Sequence, residues 1–220
     1  MLEKYLQIEA LSIVFIGDFN PVIFQPFWLS SKELIREDEA KNAKIDIIHN
    51  EIVKYELDWI NIEITRNRCV FKTTKEPYFD PLKDLVIGIF KILNETPIKS
   101  FGLNHTYELS LQTKEKYYNF GSKLTPLNYW DEELNDPRLM QLEVFEKERS
   151  DFKNGSRRIR ITPSSDQTIP FGVSININNH YDLKSEVKKI DYITLLEDNW
   201  KTTFVQTKDI VNKLLIKIDL

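Results

Sequence analysis

The sequence predicts an α+β protein with a mostly antiparallel sheet and helices packed on one face. Three observations carry that prediction. Ile60, Ile62 and Ile64 alternate with Asn61, Glu63 and Thr65, and Val173, Ile175 and Ile177 repeat the pattern. Two apolar helical stripes follow these runs, opening at Asp80-Pro81 and at Asp191. Between them lies Asn154-Gly155, a hairpin signal flanked by alternating residues. The whole chain, 1–220, is expected to be one domain. Its strand-then-helix order occurs twice, suggesting related halves at about 1–112 and 138–220.

Taken in order, Leu11, Ile13 and Phe15 read as a first strand that breaks at Gly17-Asp18. Phe19 to Leu29 holds Pro21 and Pro26, which forbid a central strand or a helix interior. Ser30 with Glu33 resembles a capping box, so a helix is expected from Ser31 to about Asn42. Val53, Tyr55 and Leu57 begin the sheet, and Asn67 turns the chain back into Cys69 and Phe71. Leu82, Leu85, Val86, Ile89, Phe90 and Leu93 mark one face of the helix at Asp80. A strand follows through Thr106 to Leu111. Gln112 to Pro137 reads as a long aromatic-rich loop with a short helix. Leu142 and Val144 then lead towards a type I′ turn at Asn154-Gly155, with Ile159 and Ile161 on the return. Leu196, Trp200, Phe204, Val211, Leu214 and Leu215 form the stripe of a long last helix.

Composition excludes several classes. Apolar residues make up 41% and charged residues 29%, the balance of a globular chain. The net charge of −4 gives no broad electrostatic footprint for nucleic acid. Cys69 is the only cysteine, so no internal disulfide forms and a reducing compartment is expected. The start, Met1 to Tyr5, lacks the charged and apolar regions of a secretory signal, and no apolar run nears the roughly 20 residues of a membrane span. The expected location is the cytoplasm, without membrane association.

Chemical signatures are sparse. His49, His105 and His180 stand far apart, with no metal-ligand spacing. No glycine-rich phosphate loop and no G-x-S-x-G elbow occurs among the six glycines. The expectation is therefore no catalytic residue, no metal and no cofactor. Four polar residues at strand ends stand out instead: Asn104, His105, Asn179 and His180. Glu186-Val187-Lys188 fits the E-x-K pair of a magnesium-dependent nuclease, with Asp166 or Asp182 as a further carboxylate, although Lys184 to Lys189 reads as a solvated loop.

Two candidate binding surfaces remain. Phe24, Phe27 and Trp28 beside the prolines could anchor a protein partner, since aromatics are enriched at interface hot spots; alternatively they plug the end of the sheet. Lys147, Arg149, Lys153, Arg157, Arg158 and Arg160 make the hairpin cationic. Arg157, Arg158 and Arg160 could meet phosphates. Cross-strand pairing with Glu143, Glu146, Glu148 and Asp151 explains the same pattern without nucleic acid.

Four stretches, Val14 to Pro21, Asp84 to Gly88, Phe101 to His105 and Asn179-His180-Tyr181, resemble a family of uncharacterised bacterial proteins found sporadically among genomes. The resemblance covers nearly the whole chain and implies no settled activity. Sporadic families often belong to mobile or anti-phage loci, so it implies a role in bacterial defence. The functional expectation is a non-enzymatic interaction or assembly component that binds a protein partner or itself as a homodimer. The alternative is a nucleic-acid binder or a divergent nuclease.

Overall fold

Leu11, Ile13 and Phe15 face one way along a strand and are buried, while Ser12, Val14 and Ile16 face the other way and are not. That alternation holds across the computed structural model, which describes residues 1–152, 154–183 and 191–219. Among them nine strands form one sheet in the order β2-β3-β4-β5-β1-β6-β9-β8-β7, and every pairing is antiparallel. The strands are β1 (Leu6–Gly17), β2 (Lys44–His49), β3 (Ile52–Glu56), β4 (Asn61–Thr65), β5 (Arg68–Thr73), β6 (Ile98–Ser110), β7 (Leu142–Glu146), β8 (Gly155–Pro163) and β9 (Gly172–Asp182). The helices are α1 (Leu2–Tyr5), α2 (Pro26–Ser31), α3 (Glu37–Lys41), α4 (Phe79–Ile92), α5 (Lys114–Leu124) and α6 (Tyr192–Ile218). The predicted α+β class with helices against one face is what forms.

The element order repeats. A long strand, helical turns, a meander and a helix run β1 to α4, and again β6 to α6. β1 and β6 pair antiparallel at the centre, so the two meanders spread to opposite sides. The repeat thus divides between α4 and β6.

Two apolar clusters fill the helix side. Under α4, Phe90 lies within 4.7 Å of Phe15 and 6.1–6.4 Å of Phe19, Phe24, Phe71 and Tyr192, centroid to centroid. The second cluster joins Leu109, Ile161 and Ile175 to Val211 and Leu215 of α6.

Several local expectations fail for identifiable reasons. The helix from Ser31 to Asn42 is two short ones. Glu33 takes a left-handed backbone, φ 58°, and the Leu34 amide donates to the Leu29 carbonyl, closing α2. The capping box sits at Arg36 and Glu39 instead. Asp80 is not the cap of α4, because the helix starts at Phe79; its carboxylate accepts from the Trp200 indole at 2.8 Å. Asp191 does cap α6, accepting from the amides of Ile193 and Thr194. Gln112 to Pro137 is more helical than expected: Thr113 caps α5, and a 3-10 turn follows at Leu127–Trp130. No two-residue turn forms at Asn154-Gly155. β7 and β8 are joined by a longer loop, and neither residue has the positive φ that a type I′ turn requires. β2 was not foreseen.

Phe90→Ala should cost about 3–5 kcal/mol, because it empties the centre of six rings. Denaturant unfolding checks this, with Phe90→Leu expected to lose less; a loss near zero would mean that the rings close over the gap.

Candidate functional site

The expected site residues scatter over four environments, because neighbours on a strand point to opposite sides. Asn104 and His180 lie on the open face of the sheet; His105 and Asn179 lie beneath α6. Asn179 and His180 lie in the last four residues of β9, which ends at Asp182 as expected, while Asn104 and His105 lie in the middle of β6.

The open face is polar along its centre. Ser174 donates to Glu108 at 2.7 Å, Asn176 donates to Thr106 at 2.8 Å, and Asn178 donates to Asn104. Each is a directly opposed pair of the β6–β9 ladder. Gly102 leaves room for the Asn178 amide, which a Cβ there would meet at 2.8 Å. Beyond it, half-buried His180 lines a cleft with Phe145, Lys147, Ser156 and Asp182. Burial lowers its imidazole from the usual range; Asp182 opposes the shift and Arg158 adds to it.

The hairpin arginines divide. Arg158 and Arg160 are half exposed on the open face and share one carboxylate, Glu143, at 3.3 and 2.8 Å. Arg157 is a correction to the phosphate-binding set, because its side chain lies on the helix side. There it donates to Asn179 at 2.7 Å, Glu146 at 3.0 Å and Gln206 at 3.0 Å. Lys153 and the Glu186/Lys188 pair lie outside the described residues.

That network belongs to a polar bed under α6 which sequence reasoning missed. Arg149, with a fully buried side chain, grips Asp151 at 2.8 and 2.6 Å and donates to the Tyr181 hydroxyl at 3.2 Å. Tyr181 meets Thr203, and Tyr107 meets Thr207, both at 2.9 Å. Lys208 pairs with buried Glu9 at 3.0 Å. Glu9 Oε1, His105 Nδ1, Arg149 Nη1 and Asn179 Nδ2 are buried without a hydrogen-bond partner. Burial raises the Glu9 carboxyl, which Lys208 only partly offsets. Burial, helped by Lys208, lowers His105 to about 3. Thr203 and Thr207, one turn apart on an otherwise apolar stripe, were the available signal.

No reactive pair emerges from these groups. His105 is an uncharged ring edge-on to Phe204 at 5.2 Å. Burial pushes the Cys69 thiol up, so it stays protonated. Among the described residues no three His, Cys, Asp or Glu side chains could hold a metal ion, and no helix is long and apolar enough to cross a membrane.

The aromatic anchor also divides. Phe24 is buried, and its carbonyl accepts from Tyr55 at 2.9 Å; Trp28 packs partly into the core. Only Phe27 is exposed, at 62%. Larger apolar exposure lies at the two ends of the sheet. β2 has all six residues exposed, with Ile45 at 50%, Ile47 at 41% and Ile48 at 39%. β7 exposes Val144 and Phe145, and the Arg158 guanidinium sits 5.7 Å from the Phe145 ring. Among the described residues both strands pair on one side only, so each presents an unpaired row of backbone donors and acceptors. The sequence matches no family model and no curated protein.

His105 gives the bed a pH signature. Its folded value, about 3, lies below its ordinary 6.5, so the unfolded chain takes the proton first as pH falls. Its contribution is complete above about 6.5 and is lost towards 3, at roughly 1.4 kcal/mol per pH unit. The stability of the parent relative to His105→Leu should therefore fall steadily from pH 7 to pH 4 in denaturant melts. A pH-independent difference would contradict the assignment.

Proposed function

We propose that the chain is a non-enzymatic assembly component that joins another polypeptide through the open edge of its sheet. The observation that carries this reading is β2: three exposed isoleucines on a strand whose outer backbone groups have no partner strand among the described residues. Natural sheets blunt such edges with charge, proline or a covering element, because an uncovered edge templates strand addition. β2 carries Lys44 and Asp46, but Asp46 is neutralised by Lys54 at 2.8 Å. Strand addition gains affinity from main-chain hydrogen bonds and specificity from alternate side chains. The resemblance to sporadic bacterial proteins extends the proposal to an anti-phage complex in the bacterial cytoplasm.

A second reading rests on Arg158 and Arg160. Two guanidinium groups on one carboxylate leave a net positive charge on a polar, half-exposed face, which favours contact with nucleic-acid phosphates.

Cross-linking in host extract, read by mass spectrometry, tests the first reading. The parent should be linked to another polypeptide near Lys44, and Ile45→Lys/Ile48→Lys should lose the link while keeping its circular dichroism. Unchanged links would remove the edge from consideration. For the second reading, Arg158→Ala/Arg160→Ala should lower the salt dependence of DNA or RNA binding by about two charges. Absence of binding by the parent at low salt would end it.

A further inference from the structure

We infer that the polypeptide β2 receives is a second copy of this chain, paired antiparallel about a two-fold axis between Asp46 and Ile47. The inference rests on the edge-binding reading and names its partner.

It comes from the bulge in β2. The ladder with β3 runs Lys44↔Glu56, Ile45↔Tyr55, Ile47↔Lys54, Ile48↔Val53 and His49↔Ile52, with the register shifting between Ile45 and Ile47. Asp46 and Ile47 together oppose Lys54, as in a bulge that sets two residues against one. Ile45 and Ile48 are three apart and would face opposite ways on a regular strand. The bulge turns them to the same side, that of their buried partners Tyr55 and Val53.

The backbone follows the same count. The Leu57 amide donates to the Ile60 carbonyl at 2.9 Å, so by alternation Tyr55 and Val53 of β3 bond towards β4, and Glu56, Lys54 and Ile52 bond towards β2. Bonded pairs with β3 then fall on His49, Ile47 and Lys44, which leaves the amide and carbonyl groups of Ile48 and Ile45 pointing out of the sheet. The two residues free to bond outwards are therefore the two exposed isoleucines on the helix side.

These two residues are self-complementary. With the axis between Asp46 and Ile47, Ile45 stands opposite Ile48 of the partner subunit, and Ile48 stands opposite the partner's Ile45. Both pairings keep faces matched: four isoleucines meet on the helix side, and Lys44 meets His49 of the partner subunit on the open side. The Asp46–Lys54 ion pairs of both copies flank the axis, so no unneutralised carboxylate is buried there. The other edge fits itself less well. A two-fold at Val144 of β7 would set Glu143 against Phe145 of the partner subunit and Leu142 against the partner's Glu146.

Sedimentation equilibrium of the purified full chain tests this. The parent should weigh about twice 26.1 kDa, and Ile45→Lys/Ile48→Lys should weaken the dimer more than about tenfold with its circular dichroism unchanged. Register is read separately by mixing Ile45→Cys with Ile48→Cys under oxidation. The mixture should form a disulfide-linked dimer. Ile45→Cys alone should not, because its two copies would stand farther apart than the roughly 7 Å that a disulfide spans. Buried Cys69 does not compete. A monomer at tens of micromolar, a dimer indifferent to the lysines, or self-linking of Ile45→Cys would overturn the pairing. If the purified chain is monomeric but the lysine variant still loses its links in extract, the edge binds a foreign strand and only the two-fold is wrong. If neither changes, the edge-binding reading falls as well.

Discussion

β1 and β6 pair from Leu6↔Leu109 to Gly17↔Ile98, and both halves hang from that ladder. β5 joins β1, and β9 joins β6, so each meander inherits the face chosen at the centre. Ile13↔Leu103 and Phe15↔Phe101 put apolar residues on one side; a slip of one residue would turn them outwards and bury Ser12 and Asn104. The same choice puts α4 and α6, each following its meander, over the same side of the sheet. It leaves the other side to Ser174, Asn176 and Asn178 with their opposed partners.

The two helices rest on different chemistry. α4 lies over rings and branched aliphatics, where burial of apolar surface holds it down. α6 lies over apolar residues towards its C-terminus, but near its middle it meets Tyr181, Arg157, Tyr107 and Glu9 through Thr203, Gln206, Thr207 and Lys208. Buried polar contacts of this kind contribute little net stability and impose geometry, because a misplaced helix leaves charges unmatched. Arg149 is the extreme case: its guanidinium is enclosed, and among the described residues only Asp151 balances it at contact distance.

Regular periodicity made most strands readable. The runs at Ile60 and Val173 and the stripe from Leu196 to Leu215 need only one covered face, and that pattern survives folding. β2 escaped because its isoleucines at 45, 47 and 48 fit neither a period of two nor one of 3.6; the bulge that explains them is a property of its pairing with β3. Ser30-Glu33 and Asn154-Gly155 carried turn and cap chemistry that long-range contacts overrode. α2 ended early at Glu33, and the β7–β8 loop folded around Arg149 and Asp151. The candidate sites fared worse than the fold. Asn104 and His105 are adjacent in sequence but lie on opposite sides of the sheet.

The sequence alone determined the α+β class, the two long strand–helix blocks, the cap at Asp191 and the alternation that sends Arg158 and Arg160 one way and Ile159 and Ile161 the other. These depend on local backbone preference and on one buried face, both of which are written residue by residue. Only the tertiary structure decided that Phe24 is core while Phe27 is surface, that Arg157 is enclosed, that Glu9 meets Lys208, and that β2 ends the sheet uncovered. Each depends on which distant segment covers a residue, and no short-range pattern encodes that.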